Sequence, residues 1–207
     1  MNNSIIIIGG GAAGFFAAIT AAEANPEIKV LILEKTTKFL SKVKVSGGGR
    51  CNVTHHCFVP HALAENYPRG NKELKAIFKK FQAKDTVAWF EKRGVKLKTE
   101  ADGRMFPQTD NSQTIIDCFL SEAQRLNIEF RSGFNAVEIT KDGELFHIST
   151  DQETLYAKKV IIATGGNANE QAYSFLKKLG HKIINPIPSL FTFNDPTKTL
   201  AELSGIS

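Results

Sequence analysis

A chain of 207 residues, 42% apolar and 23% charged, can bury one sizeable core and lies outside disordered, collagen-like and disulfide-framework compositions. Its formal charge of +5 is spread over Lys35–Lys44, Lys72–Lys98 and Lys158–Lys182 with acids interleaved, so these read as solvated helix faces and no nucleic-acid partner is expected. Three cysteines, Cys51, Cys57 and Cys118, without a secretory signal, point to free thiols in a reducing compartment and hence to a cytoplasmic location.

The chain begins with a choice. Ile5 to Ala22 is a run of eighteen residues without charge, long enough to be weighed as a membrane span, and Gly10 and Gly14 make a GxxxG spacing. Against that, the preceding MNNS carries no Lys or Arg, and Gly9-Gly10-Gly11 interrupts the run where a helix would need its centre. A strand–turn–helix reading fits better, and no membrane partner is expected. Ile5–Ile8 is a β-branched run suited to a buried parallel strand. Gly9-x-Gly11-x-x-Gly14 matches the dinucleotide fingerprint: the first glycine for a tight turn, the second for close approach of a pyrophosphate, the third for helix–strand packing. A helix from about Ala12 to Ala24, apolar all round and so expected to be buried, ends at Asn25-Pro26. A second strand, Ile28–Leu33, leads into Glu34, where a carboxylate can accept from a ribose diol and would repel a 2′-phosphate.

Next comes VSGGGRCNVT, Val45 to Thr54, whose three glycines, Arg50 and Asn52 read as a ligand loop. Cys51-x5-Cys57 with His55 and His56 between matches no common zinc spacing, so no metal is expected. Lys72–Gly94 reads as two helical pieces, with Leu74, Ile77, Phe78 and Phe81 on one face, Asp85 as the second N-cap and Trp89 in the core. Val95–Leu97 and Met105-Phe106 flank a hairpin or loop at residues 101–104, and Ser112 caps a helix running to Leu126. Ile128–Phe130 is a strand; Ala136–Thr140 and Glu144–Thr150 alternate as a hairpin around Lys141-Asp142-Gly143. The strand Lys159–Ala163 ends in a second glycine turn, Thr164-Gly165-Gly166, and a helix over Ala168–Leu179 stops at Gly180. The expected class is α/β: a Rossmann-like FAD/NAD(P)-binding domain with a central parallel sheet, helices and a β-hairpin or meander layer. No side chain stands out as a catalytic acid, base or nucleophile.

Gly9–Gly14, Leu33-Glu34-Lys35, Ser46–Asn52, Gly103–Pro107, Ala163–Gly166 and Leu179-Gly180-His181 together resemble the N-terminal half of HI0933/YhiN-like bacterial flavoproteins. The resemblance implies FAD, with its pyrophosphate at Gly9, Gly11, Ala12, Ala13 and Gly14 and its ribose at Glu34 beside Lys35. It implies that Ser46, Gly47, Gly48, Gly49, Arg50, Cys51 and Asn52 lie along the flavin, Arg50 or a loop amide meeting developing negative charge. Val137, Ala163, Thr164 and Gly165 are further cofactor-binding positions it implies, and hydride would pass to or from a small-molecule substrate or NAD(P)H. Asn167-Ala168-Asn169-Glu170 stands where the family carries a Ser/Tyr/Pro- and Gly/Thr-rich loop, which implies a shortened ligand loop. Family members are about twice as long, so residues 1–188 are expected to be the dinucleotide-binding domain and 189–207 the start of an inserted domain, with self-association through apolar surface the rest would cover. An NAD-dependent dehydrogenase stays open as an alternative because Glu34 suits either ribose, and a non-catalytic nucleotide-binding fragment because the chain is about half the family's length.

Overall fold

Ser4–Ile8 is β1, and its isoleucines are buried, Ile7 completely, because the strand runs through the middle of a parallel sheet. The computed structural model describes residues 4–167, 169–185 and 196, in two compact units, Met1–Gly165 and Gly166–Ser207. In the first unit β1 is followed by α1 (Ala12–Ala24), β2 (Lys29–Glu34), α2 (Ser41–Val45), a 3₁₀ turn at Ser46–Gly49, β3 (Thr54–His55) and α3 (Pro60–Glu65). Then come α4 (Asn71–Phe78), α5 (Ala83–Glu91), β4 (Leu97–Thr99), β5 (Arg104–Pro107), α6 (Ser112–Arg125) and β6 (Glu129–Ser132). Strands β7 (Ala136–Asp142), β8 (Leu145–Thr150), β9 (Thr154–Ala157) and β10 (Lys159–Ile162) complete it.

The parallel sheet has the order β10-β1-β2-β6, with Ile7 registered against Ile161 on one side and Ile32 on the other. β1, α1 and β2 form the expected crossover unit. β3, β5 and β4 make a small antiparallel sheet, and β7, β8 and β9 a meander. This is the α/β architecture expected from the sequence, meander layer included.

Helix α1 departs from expectation. It buries one face, Gly14, Phe15, Ala18, Ile19 and Ala22, while Ala12, Ala13 and Thr20 are exposed. Alanine is apolar yet adds little burial, so an Ala-rich helix reads as more deeply buried than it is. Phe15 anchors the core, with ring contacts to Phe39, Phe119 and Phe130 at 5.7–6.2 Å between centroids. Trp89 packs against this core as expected, and Phe16 bridges it to Phe81.

Other differences are local. The N-cap of α5 is Gln82, which accepts from Lys84 N, and Asp85 is the reciprocal N3 partner accepting from Gln82 N. Asn111 caps α6, which frees Ser112 to bury its hydroxyl and donate to Lys44 O at 2.9 Å. The β7–β8 turn is Gly143-Glu144, since Asp142 pairs with Leu145. In the second unit, the stretch expected as one helix is a 3₁₀ turn at Glu170–Tyr173 followed by α7 (Ser174–Lys178), with Gly180 beyond it at φ +88°. Ala168 lies outside the described residues, as does all of 189–207 except Pro196.

Candidate dinucleotide site

In a parallel sheet every strand ends at the same edge. Here β1 and β10 run into Gly9 and Ala163 and β2 ends in Glu34, and backbone bonds stitch these ends together. Gly9 N donates to Leu33 O and Ala163 N to Ile8 O, each at 2.8 Å. Gly9 has φ +115°, and a Cβ on it would lie 2.4 Å from Ala163 O. The two glycine turns recognised in the sequence therefore abut.

The three fingerprint glycines do different things. Gly9 fits between strand ends. Gly14 lies against the turn, where a Cβ would sit 1.9 Å from Gly9 O, so only glycine allows α1 this close to β1. Gly11, at the start of α1, has no atom of the described residues, its chain neighbours apart, within 4 Å of the position its Cβ would take. The second glycine thus keeps an open face at a helix N-terminus, the place a pyrophosphate takes in this motif. Ala12 and Ala13 are exposed beside it.

Glu34 is oriented by the same turn. Its Oε2 accepts from Gly10 N at 2.8 Å, and its Oε1 accepts from the Thr36 N–H and hydroxyl, each at 2.9 Å. A carboxylate has about four acceptor sites, so capacity remains for a further donor such as a ribose hydroxyl. Gly10 O accepts from Leu40 N at 2.8 Å, which ties the turn to the start of α2. Lys35 is exposed.

From α2 the chain enters the Ser46–Gly49 turn, with Gly47, Gly48 and Gly49 all left-handed at φ +56°, +67° and +87°. Cys51 N donates to Ser46 O at 2.9 Å and closes it. A Cβ on Gly47 would meet the Phe106 ring at 2.8 Å, whereas Gly48 faces open space. Arg50 does not project freely: it pairs with Glu100 at 2.5 Å and lies over Phe106, 4.0 Å from the ring centroid. Its visible role is to clamp the loop to the β4–β5 hairpin. Asn52 is exposed. Cys51 is buried and left-handed at φ +65°, and burial pushes its thiol up to about 11, which keeps it protonated and unreactive near neutral pH.

Three further positions complete the picture. Gly165, at φ +74°, has Lys42 of α2 beside it: a Cβ there would lie 3.3 Å from Nζ. Thr164, between Ala163 and Gly165, is exposed. Val137 sits at a β-bulge in β7 and is 56% exposed, shortly after Phe134 N donates to Glu34 O. The structure thus brings the two glycine turns, Glu34 and the start of α2 together at one sheet edge. Sequence reasoning missed Lys42, whose signal was only its place four residues before Ser46. His55 and His56 meet the β4–β5 hairpin and Phe58 respectively, and among the described residues no His/Cys/Asp/Glu group has the arrangement to hold a metal ion. No helix among the described residues is long and apolar enough to cross a membrane.

Comparison with known proteins agrees with this geometry. The chain is 26% identical over 199 residues to a 3-dehydro-bile acid delta(4,6)-reductase of Clostridium scindens, covering 93% of this chain and 48% of that protein. It is 30% identical over 203 residues to a ribosomal RNA dihydrouridine synthase of Escherichia coli, covering 94% and 49%. It therefore spans about half the length of these relatives. Among solved structures it superposes on 3-ketosteroid-delta4-(5alpha)-dehydrogenase of Rhodococcus jostii with a TM-score of 0.60 at 15% identity, over 83% of this chain and 48% of that one, a likeness of fold. Residues 3–200 match the family described as HI0933-like protein Rossmann domain, and the chain belongs to that family.

Proposed function

We propose that this chain is the FAD-binding portion of a flavin-dependent oxidoreductase. The observation that carries the reading is the open face of Gly11 at the head of α1, beside a Glu34 already held by Gly10 N. FAD held there would supply hydride chemistry, with NAD(P)H or the substrate as the other partner. In this reading the Gly9–Gly14 turn and the α1 N-terminus take the pyrophosphate, and Glu34 accepts from the adenosine ribose. Val137 and the Ala163–Gly165 turn line the adenine and pyrophosphate side, and the Ser46–Asn52 loop, held by Arg50 and Glu100, flanks the flavin ring. Residues 1–188 make up the binding domain, and 189–207 lead into whatever completes the site.

The two relatives' names both denote saturation of a double bond, in a bile acid and in a uridine of ribosomal RNA. A double-bond reductase is accordingly the reaction class we assign. The test is a visible spectrum of protein mixed with FAD and desalted, then mixed with NADH or NADPH without oxygen. Retained flavin bands that bleach with a nicotinamide support the reading. Retention without bleaching would leave a nucleotide-binding fragment, and retention of NAD but not FAD would leave the dehydrogenase alternative.

A further inference from the structure

We propose that the outer face of α4 and the turns flanking it dock the phosphodiester backbone of RNA. The inference rests on the double-bond reductase reading only for its choice of RNA as substrate.

The basic excess is less even than its blocks in the sequence suggest. Residues 66–84 hold six Lys or Arg and one acid, Glu73, which leaves the rest of the chain with twenty of each sign. Among the arginines the contrast is sharper still. Five of the six arginines, Arg50, Arg93, Arg104, Arg125 and Arg131, are neutralised by carboxylates. Arg69, the sixth, is exposed and has no carboxylate partner among the described residues; the same holds for Lys72, Lys79, Lys80 and Lys84. Lys75 meets His61, at 3.3 Å, and no carboxylate among the described residues. The acids at the edges are engaged: Glu65 with His61, and Asp85 with the Gln82 backbone.

Geometry makes the charges a stripe. Lys72, Lys75 and Lys79 follow i, i+3, i+7 spacing, which puts them on one side of a helix over about 10 Å, Lys72 and Lys79 exposed and Lys75 half-buried where that side borders half-buried Leu74 and Phe78. Tyr67, packed on Phe78 at 5.6 Å, and Phe81, packed on Phe16 at 5.2 Å, flank the stripe at either end and remain 42% and 38% exposed. Lysines that track phosphates beside aromatic planes that stack on bases are how proteins hold unpaired RNA strands. An anionic lipid surface would also attract the lysines, and the test separates the two.

The experiment follows binding of a short fluorescein-labelled RNA hairpin by anisotropy across a salt series. It compares the parent chain with a K72Q/K79Q/K80Q variant and with K29Q/K158Q, which removes exposed lysines elsewhere. The parent should bind with a steep salt dependence. Each lost phosphate contact removes about 0.7–0.9 from the slope, so the triple variant should lose about 2.1–2.7 and bind about tenfold or more weakly near 0.1 M salt, while K29Q/K158Q matches the parent. Equal binding by the triple variant overturns the proposal. So does binding to phosphatidylserine vesicles with none to the hairpin. Circular dichroism confirms that the variants are folded. FAD retention is read in the same samples: RNA binding without flavin would sink the oxidoreductase reading and leave this one standing.

Discussion

At the scale of single residues, the fingerprint glycines separate binding from folding. Gly11 faces open space, so Gly11→Leu should leave the melting temperature near that of the parent and weaken FAD binding about tenfold or more, a loss of roughly 1.4 kcal/mol. Gly14→Ala should instead destabilise the fold by about 3 kcal/mol, because its Cβ would collide with the backbone oxygen of Gly9, which a side-chain rotation cannot relieve. Thermal denaturation and flavin titration of the pair check both. Cys51 makes a third test. Burial holds its thiol protonated below about 11, so near neutral pH iodoacetamide should modify half-buried Cys57 first, as followed by peptide mass spectrometry. Preferential labelling of Cys51 would contradict its placement. The glycine roles were legible in the sequence because each depends on a spacing. The clamping of Arg50 was not, since Glu100 lies fifty residues away.

Between elements, an ion-pair cluster joins helices that the sequence could place but not pair. Arg93, after α5, is nearly buried, lies over Trp89 at 3.8 Å, and meets Glu23 of α1 at 2.6 Å and Glu122 of α6 at 3.0 Å. Arg125 foremost, with Arg93, holds the Glu122 carboxyl below its ordinary value of 4.5. A depressed carboxylate contributes stability above its unfolded value and loses it as pH falls through the folded one. Glu122→Gln should therefore cost about 2 kcal/mol near neutral pH by leaving Arg93 short of a partner. Denaturant melts at several pH values should show the gap from the parent closing below about 4.5. A gap that did not change with pH would mean the cluster is not ionised as described. Short elements were the other blind spot. α2 and α3 have five and six residues, too few for a period to declare itself, and β9 has four. Strands β1 and β2 were legible because a parallel strand covered on both faces needs a continuous apolar run.

For the whole molecule, everything singled out as a ligand-binding position at the first two strand ends and the second glycine turn converges on one edge of the parallel sheet. That follows from topology: parallel strands end together, and the crossover helix points its free amides at the same edge. The lysine stripe of α4 lies apart in sequence from that chemistry, and whole-chain composition concealed it because the basic excess sits in one short window while the two signs balance over the rest. Apolar side chains are also left in solvent, Val45 at 71% and Val59 at 62% exposure. We expect concentration-dependent self-association by light scattering unless a further segment covers them. The measurement that tests the central claim most directly is a flavin titration of the parent chain and Gly11→Leu, followed by flavin fluorescence. The account predicts one FAD per chain for the parent, and binding weakened about tenfold or more in a variant that melts like the parent. FAD binding that is unchanged in Gly11→Leu would contradict it.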